Sequence, residues 1–479
     1  MQMTSHTHYP YFLAGNWLQT TAKSAAIRNP YNDELVGMVQ LGDAAVLEQA
    51  IQAAVNARPV MQQLAGHERA AILRGVAQQL EAQAEDFARI IAAEAGKPIK
   101  HARAEVQRGS FTFAYAAEEA TRIAGDIIHT DAFPAGAGRM GVVRRFPVGP
   151  VAAITPFNFP LNLVAHKLAP AIAAGCPLVL KPAPQTPITA LKLAKLIHAA
   201  GLPPGGLSVL PLDLDDAAAL IDDDRFKLLT FTGGPQAGWM MKQRAGHKRV
   251  LLELGGNAGV LIHRDADVAH AAARCVAGGF AYAGQSCISV QRIVVHADVY
   301  PAFLEQFVAA VQRLRVGDPF DEQSDLSSVI NDAAAQRIAL WLAEARAAGA
   351  EIVTGGGVRG RLIEPTVIVN AGPDLKVNCQ EVFAPVVTVQ PYTDFADALR
   401  FLNDSPFGLQ AGIFTNDLRL IMHAYSTLDV GGIIVNDSPS WRVDHMPYGG
   451  VKQSGLGREG LRYAIEEMTE PRLLVLPMG

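Results

Sequence analysis

Apolar residues recur at three- and four-residue steps from Ala44 to Asn56 and again from Glu68 to Ala95, the spacing of helices with one buried face. Gly96-Lys97-Pro98 closes the second of these, because glycine and proline together stop a helix. A further amphipathic stretch runs from Ile99 to about Gly125. The texture then changes. Residues 126–150 hold a Gly- and Pro-rich run, AFPAGAGRMG, between short β-type segments, which predicts a hairpin.

Beyond residue 150 the pattern alternates. Strands are predicted at Val151–Ile154, Leu178–Leu180, Leu207–Leu210, Lys227–Phe231 and Arg249–Leu254, with helices at Leu161–Ala174 and Ile188–Ala200. After Gly256 the alternation resumes with strand Gly259–Ile262, helix Val268–Ala283, strand Gln291–His296 and helix Tyr300–Leu314. The segment 348–395 carries more strands, and 396–425 adds helical segments. Such alternation implies an α/β fold with parallel sheets covered by helices, here in two layers joined near residue 255. No internal repeat and no low-complexity tract interrupts it.

Length and composition narrow the class. At 479 residues the chain exceeds one ordinary core, so two or three domains are expected. Its 49% hydrophobic content argues against long disorder. A balance of 41 basic and 46 acidic residues, net −5, favours neither nucleic acid nor an anionic membrane surface as partner. The opening MQMTSHTHYPYF lacks a basic start and an apolar core, so no secretory signal is read there. Apolar stretches such as Val164–Leu180 are broken by His166, Lys167, Pro170 and Pro177, which rules against a membrane span. Four scattered cysteines and 13 histidines show no metal-ligand spacing. The acidic run Asp213–Asp224 lacks convergent spacing and reads as a solvated helix and turn. A cytoplasmic protein with reduced thiols and no metal is the expectation.

A few residues stand where chemistry would be placed. Cys287, in GQSC, lies between a small-residue helix and a β-rich strand; loops at strand ends build sites, although an inert buried thiol has the same look. Glu253 closes the apolar run VLLEL, so its carboxylate needs a partner or a raised pKa; it is either a general base or a salt-bridged structural residue. Asn158, between the prolines of TPFNFP, is either a rigid donor for an oxyanion or a helix cap. Phe231-Thr232-Gly233-Gly234 leads from a strand into a helix, where backbone amides can hold phosphate, yet no G-x-G-x-x-G fingerprint accompanies it. Lys181 ends a strand at the sheet's ligand edge, or else is a solvated surface lysine.

Taken in order, TPFNFP (155–160), KPAPQTP (181–187), FTGG (231–234), ELGGN (253–257), GQSC (284–287), EVFAP (381–385) and PYGGVKQSGLGREG (447–460) resemble the aldehyde dehydrogenase superfamily over nearly the whole chain. FAYAGQSCISVQRIVVH and RVDHMPYGG further resemble its lactaldehyde- and phosphonoacetaldehyde-type members. The resemblance implies a Rossmann-like cofactor domain (1–124 and 151–254), an α/β catalytic domain (255–445), an oligomerisation arm (125–150 and 465–479) and a return to the cofactor domain (446–464). It also implies an NAD(P)-dependent oxidation of an aldehyde to an acid. Cys287 resembles the thiolate nucleophile, Asn158 with the Cys287 amide the oxyanion hole, and Glu253 the base that activates water. Thr155, Pro156, Phe157, Lys181, Ala183, Pro184, Phe231, Thr232, Gly233, Gly234, Glu381 and Phe383 match the cofactor cleft. Lys181 is similar to the adenosine-ribose contact, Glu381 to the carboxylate on the nicotinamide ribose, and Phe383 to the aromatic beside that ring. Lys167 matches a buried lysine near the site. A homodimer or homotetramer is implied.

Three positions depart from the pattern. Pro184 stands where many strictly NAD-using members carry a glutamate, so a 2′-phosphate is not repelled and NAD or NADP both remain open. Gly234 replaces a common serine, and the turn PLDLDD after Leu210 lacks the usual glycines. Retention of Glu253 favours water over coenzyme A as acyl acceptor; a CoA-acylating semialdehyde dehydrogenase and a catalytically silent protein of this fold are the alternatives. No histidine is placed to pair with Cys287 as in a cysteine hydrolase. Arg442 and Arg108 are the candidates to meet an anionic tail on a small aldehyde, each of which would serve equally as a domain-interface ion pair.

Overall fold

The computed structural model describes residues 7–20 and 23–478; the first six positions of the segment read for a signal, and Gly479 of the tail, lie outside them. Two large sheets dominate. The first has eight strands in the order 455–456, 249–253, 228–232, 151–154, 178–181, 207–209, 11–13, 16–18. The five strands from 249–253 to 207–209 are parallel, and their residues are almost wholly buried, as befits strands covered on both faces. From 151–154 the chain steps outward through 178–181 to 207–209, then returns to the other side of 151–154 with 228–232 and 249–253. The switch point therefore lies between 151–154 and 228–232, and the crevice at their carboxyl ends is where such sheets bind ligands.

The second sheet has seven strands in the order 351–354, 366–369, 386–392, 290–296, 258–262, 410–414, 432–435, all parallel except 351–354. The chain crosses from the first sheet to the second through Leu254–Asn257, between strands Arg249–Glu253 and Ala258–Ile262, and returns after strand Gly432–Val435 to set 455–456 at the first sheet's edge. A third sheet pairs 469–477, 139–147 and 126–128 antiparallel, so the hairpin is present and the tail joins it. Leu473–Leu476 stay exposed on that outer strand.

Several predicted elements need correction. The first helix runs Ala44–Gln63, past Asn56 and with Pro59 inside it, capped by Asp43, which accepts the Val46 N–H at 2.9 Å. The helix read from Glu68 to Ala95 is two, Gly66–Ala82 and Ala84–Ala95, broken at Gln83. Leu80 and Phe87 are both buried and sit two helical turns apart, so the apolar stripe runs through the break without losing phase. The helix from Val268 ends at Phe280 rather than Ala283. Residues 396–425 are not simply helical: strands Phe407–Gly408 and Gln410–Phe414 separate helices Phe395–Asn403 and Leu418–Thr427. Helix Asp332–Ala347 and the amino-terminal strands are additional. No helix of the described residues is long and apolar enough to cross a membrane.

Candidate active site

Helix Asn162–Ala174 follows strand Val151–Ile154 and is buried at every position, His166 and Lys167 included. Its start is fixed by a carboxylate. Glu105 accepts the backbone N–H groups of Leu161 at 2.9 Å and Asn162 at 3.1 Å, which favours a negative charge at a helix amino terminus. Glu105 also pairs with buried Lys97, whose ammonium lies 3.7 Å from the centre of the Phe159 ring and 4.5 Å from that of Tyr282. The loop between strand and helix is thereby held, and it carries Asn158. That side chain is buried; its Nδ2 donates to the Gln285 carbonyl at 3.0 Å, and its Oδ1 has no partner.

The opposite wall comes from the second sheet. After helix Val268–Phe280 the chain turns through Tyr282, Ala283 and Gly284, all in the left-handed region (φ 50°, 53° and 68°). Such conformations cost non-glycine residues about 1–3 kcal/mol each. Tyr282 is secured by donating its hydroxyl to the Ala95 carbonyl at 2.9 Å, and Gln285 by accepting the Ile330 N–H at 2.9 Å. A Cβ on Gly284 would lie 2.3 Å from the Ala384 carbonyl oxygen, so only glycine fits. Cys287 emerges from this turn half-buried, with its sulfur 3.1 Å from the Tyr448 hydroxyl. Burial pushes the thiol up to about 12, with the Glu381 and Glu253 carboxylates adding to the rise and Tyr448 opposing it.

Glu253 ends its strand next to the crossing Leu254–Asn257. Gly256 is packed so closely on Cys287 that a Cβ there would lie 2.0 Å from the Cys287 carbonyl oxygen, and the Glu253 carboxylate and the Cys287 thiol line one cavity. Burial, then repulsion from Glu459, raises the Glu253 carboxyl well above the usual carboxylate range, against the pull of Lys167, Arg442 and Arg458. Its Oε2 has no hydrogen-bond partner. Glu381 accepts the Gly256 N–H at 2.9 Å, and burial lifts its carboxyl to about 7.

Two cavities meet at Cys287. One, of about 360 Å³, is lined by Pro156, Phe157, Thr232, Gly233, Gly234, Glu253, Glu381, Phe383 and Arg337. The other, of about 240 Å³, is lined by Lys97, Arg108, Phe159, Ser286, Arg442 and Tyr448. Cys287 and Asn158 belong to both. The first lies at the switch point of the first sheet and fits a dinucleotide: the buried Thr232 Oγ1 in its wall has no hydrogen-bond partner, and a Cβ on Gly234 would meet nothing within 4 Å; Thr155, whose Oγ1 is likewise buried without a partner, lines neither cavity. Gly234 caps helix Pro235–Arg244, whose free amides suit phosphate.

The remaining candidates fall elsewhere. Lys181, Ala183 and Pro184 lie at the carboxyl end of strand Leu178–Lys181 and line neither cavity; Lys181 and Ala183 are buried and Pro184 is exposed. Burial lowers the Lys181 pKa, with Asp213 opposing. Phe231 is a core residue packed beneath Gly233. Arg108 and Arg442 both line the cavity, and both are ion-paired. Arg108 reaches Asp444 through two bonds of 2.7 and 3.1 Å. Arg442 donates to Glu459 at 3.3 Å and contacts His166 at 3.2 Å, while its Nε makes no hydrogen bond and lies 3.9 Å from the Asp444 carboxylate. His166 and Asn162 also hold Asp444, at 2.9 and 3.1 Å, and Lys167 pairs with Glu459 at 2.5 Å. No group of three or more His, Cys, Asp or Glu able to hold a metal occurs among the described residues.

Three residues of the site escaped sequence reasoning. Tyr448 falls within PYGGVKQSGLGREG, where nothing local marks its hydroxyl. Arg337 donates to the Val382 carbonyl at 2.8 Å and stacks on Trp341; nothing marks it in sequence. Lys97 reads in sequence only as part of a helix stop.

A model of the aldehyde dehydrogenase family matches residues 17–474. The chain is 43% identical to the 3-sulfolactaldehyde dehydrogenase of Priestia megaterium over 475 residues, 99% of each chain. The crystal structure of aldehyde dehydrogenase 21 from Physcomitrella patens, in complex with the reaction product succinate, superposes with a TM-score of 0.98 at 44% identity, covering 99% of both chains. The glyceraldehyde-3-phosphate dehydrogenase of Methanocaldococcus jannaschii complexed with NADP gives a TM-score of 0.92 at 35% identity, over 95% of this chain and 100% of that one. With the matched segment spanning nearly all residues and both cavities converging on one cysteine, the chain belongs to the aldehyde dehydrogenase family.

Proposed function

We propose that this aldehyde dehydrogenase oxidises a short aldehyde with an anionic tail to the carboxylic acid, with NAD or NADP as coenzyme, through a thioester on Cys287 that water hydrolyses. The observation that carries this is one thiol set in the wall shared by two cavities, with Asn158 beside it and Glu253 on one side. The coenzyme is held by Thr155, Pro156, Phe157, Thr232, Gly233, Gly234, Glu381 and Phe383, and its adenosine end by Lys181, Ala183 and Pro184, with Phe231 supporting Gly233 from below. Bound there, NAD or NADP supplies the hydride acceptor. Cys287 attacks the carbonyl carbon from the other cavity, and the side-chain amide of Asn158 with the Cys287 N–H stabilises the oxyanion, a contribution of about 3–4 kcal/mol per donor. Glu253 takes a proton from the water that cleaves the thioester. Its raised pKa strengthens the carboxylate as the acceptor of that proton.

The anionic tail is supported by the guanidinium groups of Arg108 and Arg442 in a cavity of about 240 Å³, and by relatives named for sulfolactaldehyde and crystallised with succinate. Arg108 and Arg442, whose Nε makes no hydrogen bond, are the groups that meet it. The first sheet and its helices form the coenzyme domain, the second the catalytic domain, and the strand 469–477 with its exposed Leu473–Leu476 is the oligomerisation surface of a cytoplasmic homodimer or homotetramer. The test is a panel of charged and neutral aldehydes assayed with each coenzyme, with the acid product identified in the absence of coenzyme A. Reduction of neither coenzyme by any aldehyde, or equal rates in Cys287→Ser, refutes the reading.

A further inference from the structure

Tyr448 reaches Cys287 from far along the chain and is 3% exposed. Its ring packs on Ile288 and Leu409, a volume that phenylalanine would fill equally well. The hydroxyl adds one contact, 3.1 Å to the Cys287 sulfur. A buried hydroxyl left without a partner costs about 1–3 kcal/mol, so the group is retained against a cost unless the sulfur answers it. The ring is also covered: the Arg442 guanidinium carbon lies 3.6 Å from its centre. A cation over the face withdraws electron density from the ring and makes the phenol a better donor. Resting on the reading of Cys287 as nucleophile, we propose that Tyr448 is a catalytic residue whose O–H donates to the Cys287 sulfur, holding the thiolate in the cleft and increasing its share of the resting enzyme.

The direction of that bond follows from which partner carries the proton when the sulfur is a thiolate. Glu253, at the end of its strand, and Glu381, ahead of strand Val386–Tyr392, oppose a negative sulfur; Arg442 favours it. Burial holds the phenol pKa well above its ordinary value, so Tyr448 keeps its proton while the thiol's own proton passes to water in the cleft. The thiolate can only accept. Arg442 then acts on the nucleophile through the ring, as a positioning residue, besides facing the substrate cavity.

The experiment is the rate of Cys287 alkylation by iodoacetamide in the coenzyme-free enzyme, followed on the Cys287 peptide by mass spectrometry to separate it from Cys176, Cys275 and Cys379. Loss of one hydrogen bond to a charged acceptor is expected to raise the thiol pKa by about one unit, giving roughly tenfold less thiolate. The more basic thiolate is roughly threefold more nucleophilic, so Tyr448→Phe alkylates about threefold more slowly. Replacing Tyr448 by 3-fluorotyrosine, a stronger donor of nearly the same shape, moves the rate the other way. Rates unchanged or moved in the same direction by both substitutions overturn the proposal. Wild-type enzyme that oxidises no aldehyde fails the underlying reading instead, whatever the alkylation shows.

Discussion

Asn158→Ala separates chemistry from folding. In the resting enzyme Nδ2 donates to the Gln285 carbonyl at 3.0 Å while Oδ1 is buried without a partner. Truncation removes one bond worth about 1 kcal/mol and leaves that carbonyl unanswered, a cost of about 1–3 kcal/mol. It also removes the orphaned oxygen, which recovers a similar amount. The net change in stability is therefore small, on the order of 1 kcal/mol, or a few degrees at most in Tm. The kinetic change is large. An oxyanion donor contributes about 2.7–4 kcal/mol, so kcat should fall about 10²- to 10³-fold while KM changes little. Steady-state kinetics on the preferred aldehyde, thermal unfolding and the Cys287 alkylation rate together decide the matter. Asn158→Asp, which places a carboxylate against the oxyanion, should be slower still. A loss of kcat below tenfold, or one matched by collapse of Tm, refutes the assignment.

Further outcomes follow from the same geometry. Glu253→Gln should retain a first-turnover burst of reduced coenzyme but slow the steady state by about 10²–10⁴, with the thioester accumulating on Cys287. Because the Glu253 pKa is raised, its base form is depleted as pH falls, so deacylation in the wild type should rise with pH and become flat in this variant; a pH-dependent rate surviving the substitution refutes the role. Arg108→Ala should raise KM for anionic aldehydes by about tenfold, about 1.4 kcal/mol for a partly exposed charge, and leave neutral ones nearly unaffected; equal effects on both classes exclude it from tail recognition. Lys97→Met strands the buried Glu105 carboxylate and should cost about 3–5 kcal/mol by denaturant unfolding, partly restored by adding Glu105→Gln. Additive losses in the double variant would show that the two do not act as a pair.

What could be read in the sequence is what sits where strands end. Glu253 closes a strand, while Asn158 and Cys287 sit in short loops just after and just before one, and the structure brings all three to the cavity of Phe157 and Phe383, with Asn158 and Cys287 also facing the second. The residues that could not be read act across long separations. Tyr448 lies 161 residues from Cys287, and nothing local distinguishes its hydroxyl from a packing ring. Arg337 sits on a helix whose ordinary amphipathic pattern hides a guanidinium aimed at backbone carbonyls. The break at Gln83 was silent because neither glycine nor proline marks it. Arg108 and Arg442 were legible as cations but not as partners of Asp444 and Glu459, since ion pairing depends on the fold of the 436–460 segment over helix Asn162–Ala174.

The two large sheets present opposite ends to the same cleft. The first offers the carboxyl ends of its strands, with Asn158, Gly233 and Glu253; the second offers amino ends, with Asn257, Cys287 and Phe383 just ahead of strands beginning at Ala258, Val290 and Val386. The turns that leave the second sheet, after His296 and Tyr392 for instance, consequently face away from the chemistry. Length can be added or lost there, or a fused module accommodated, without disturbing the thiol. A one-residue change in Leu254–Asn257 would instead move the Cys287 thiol and the Glu253 carboxylate relative to each other.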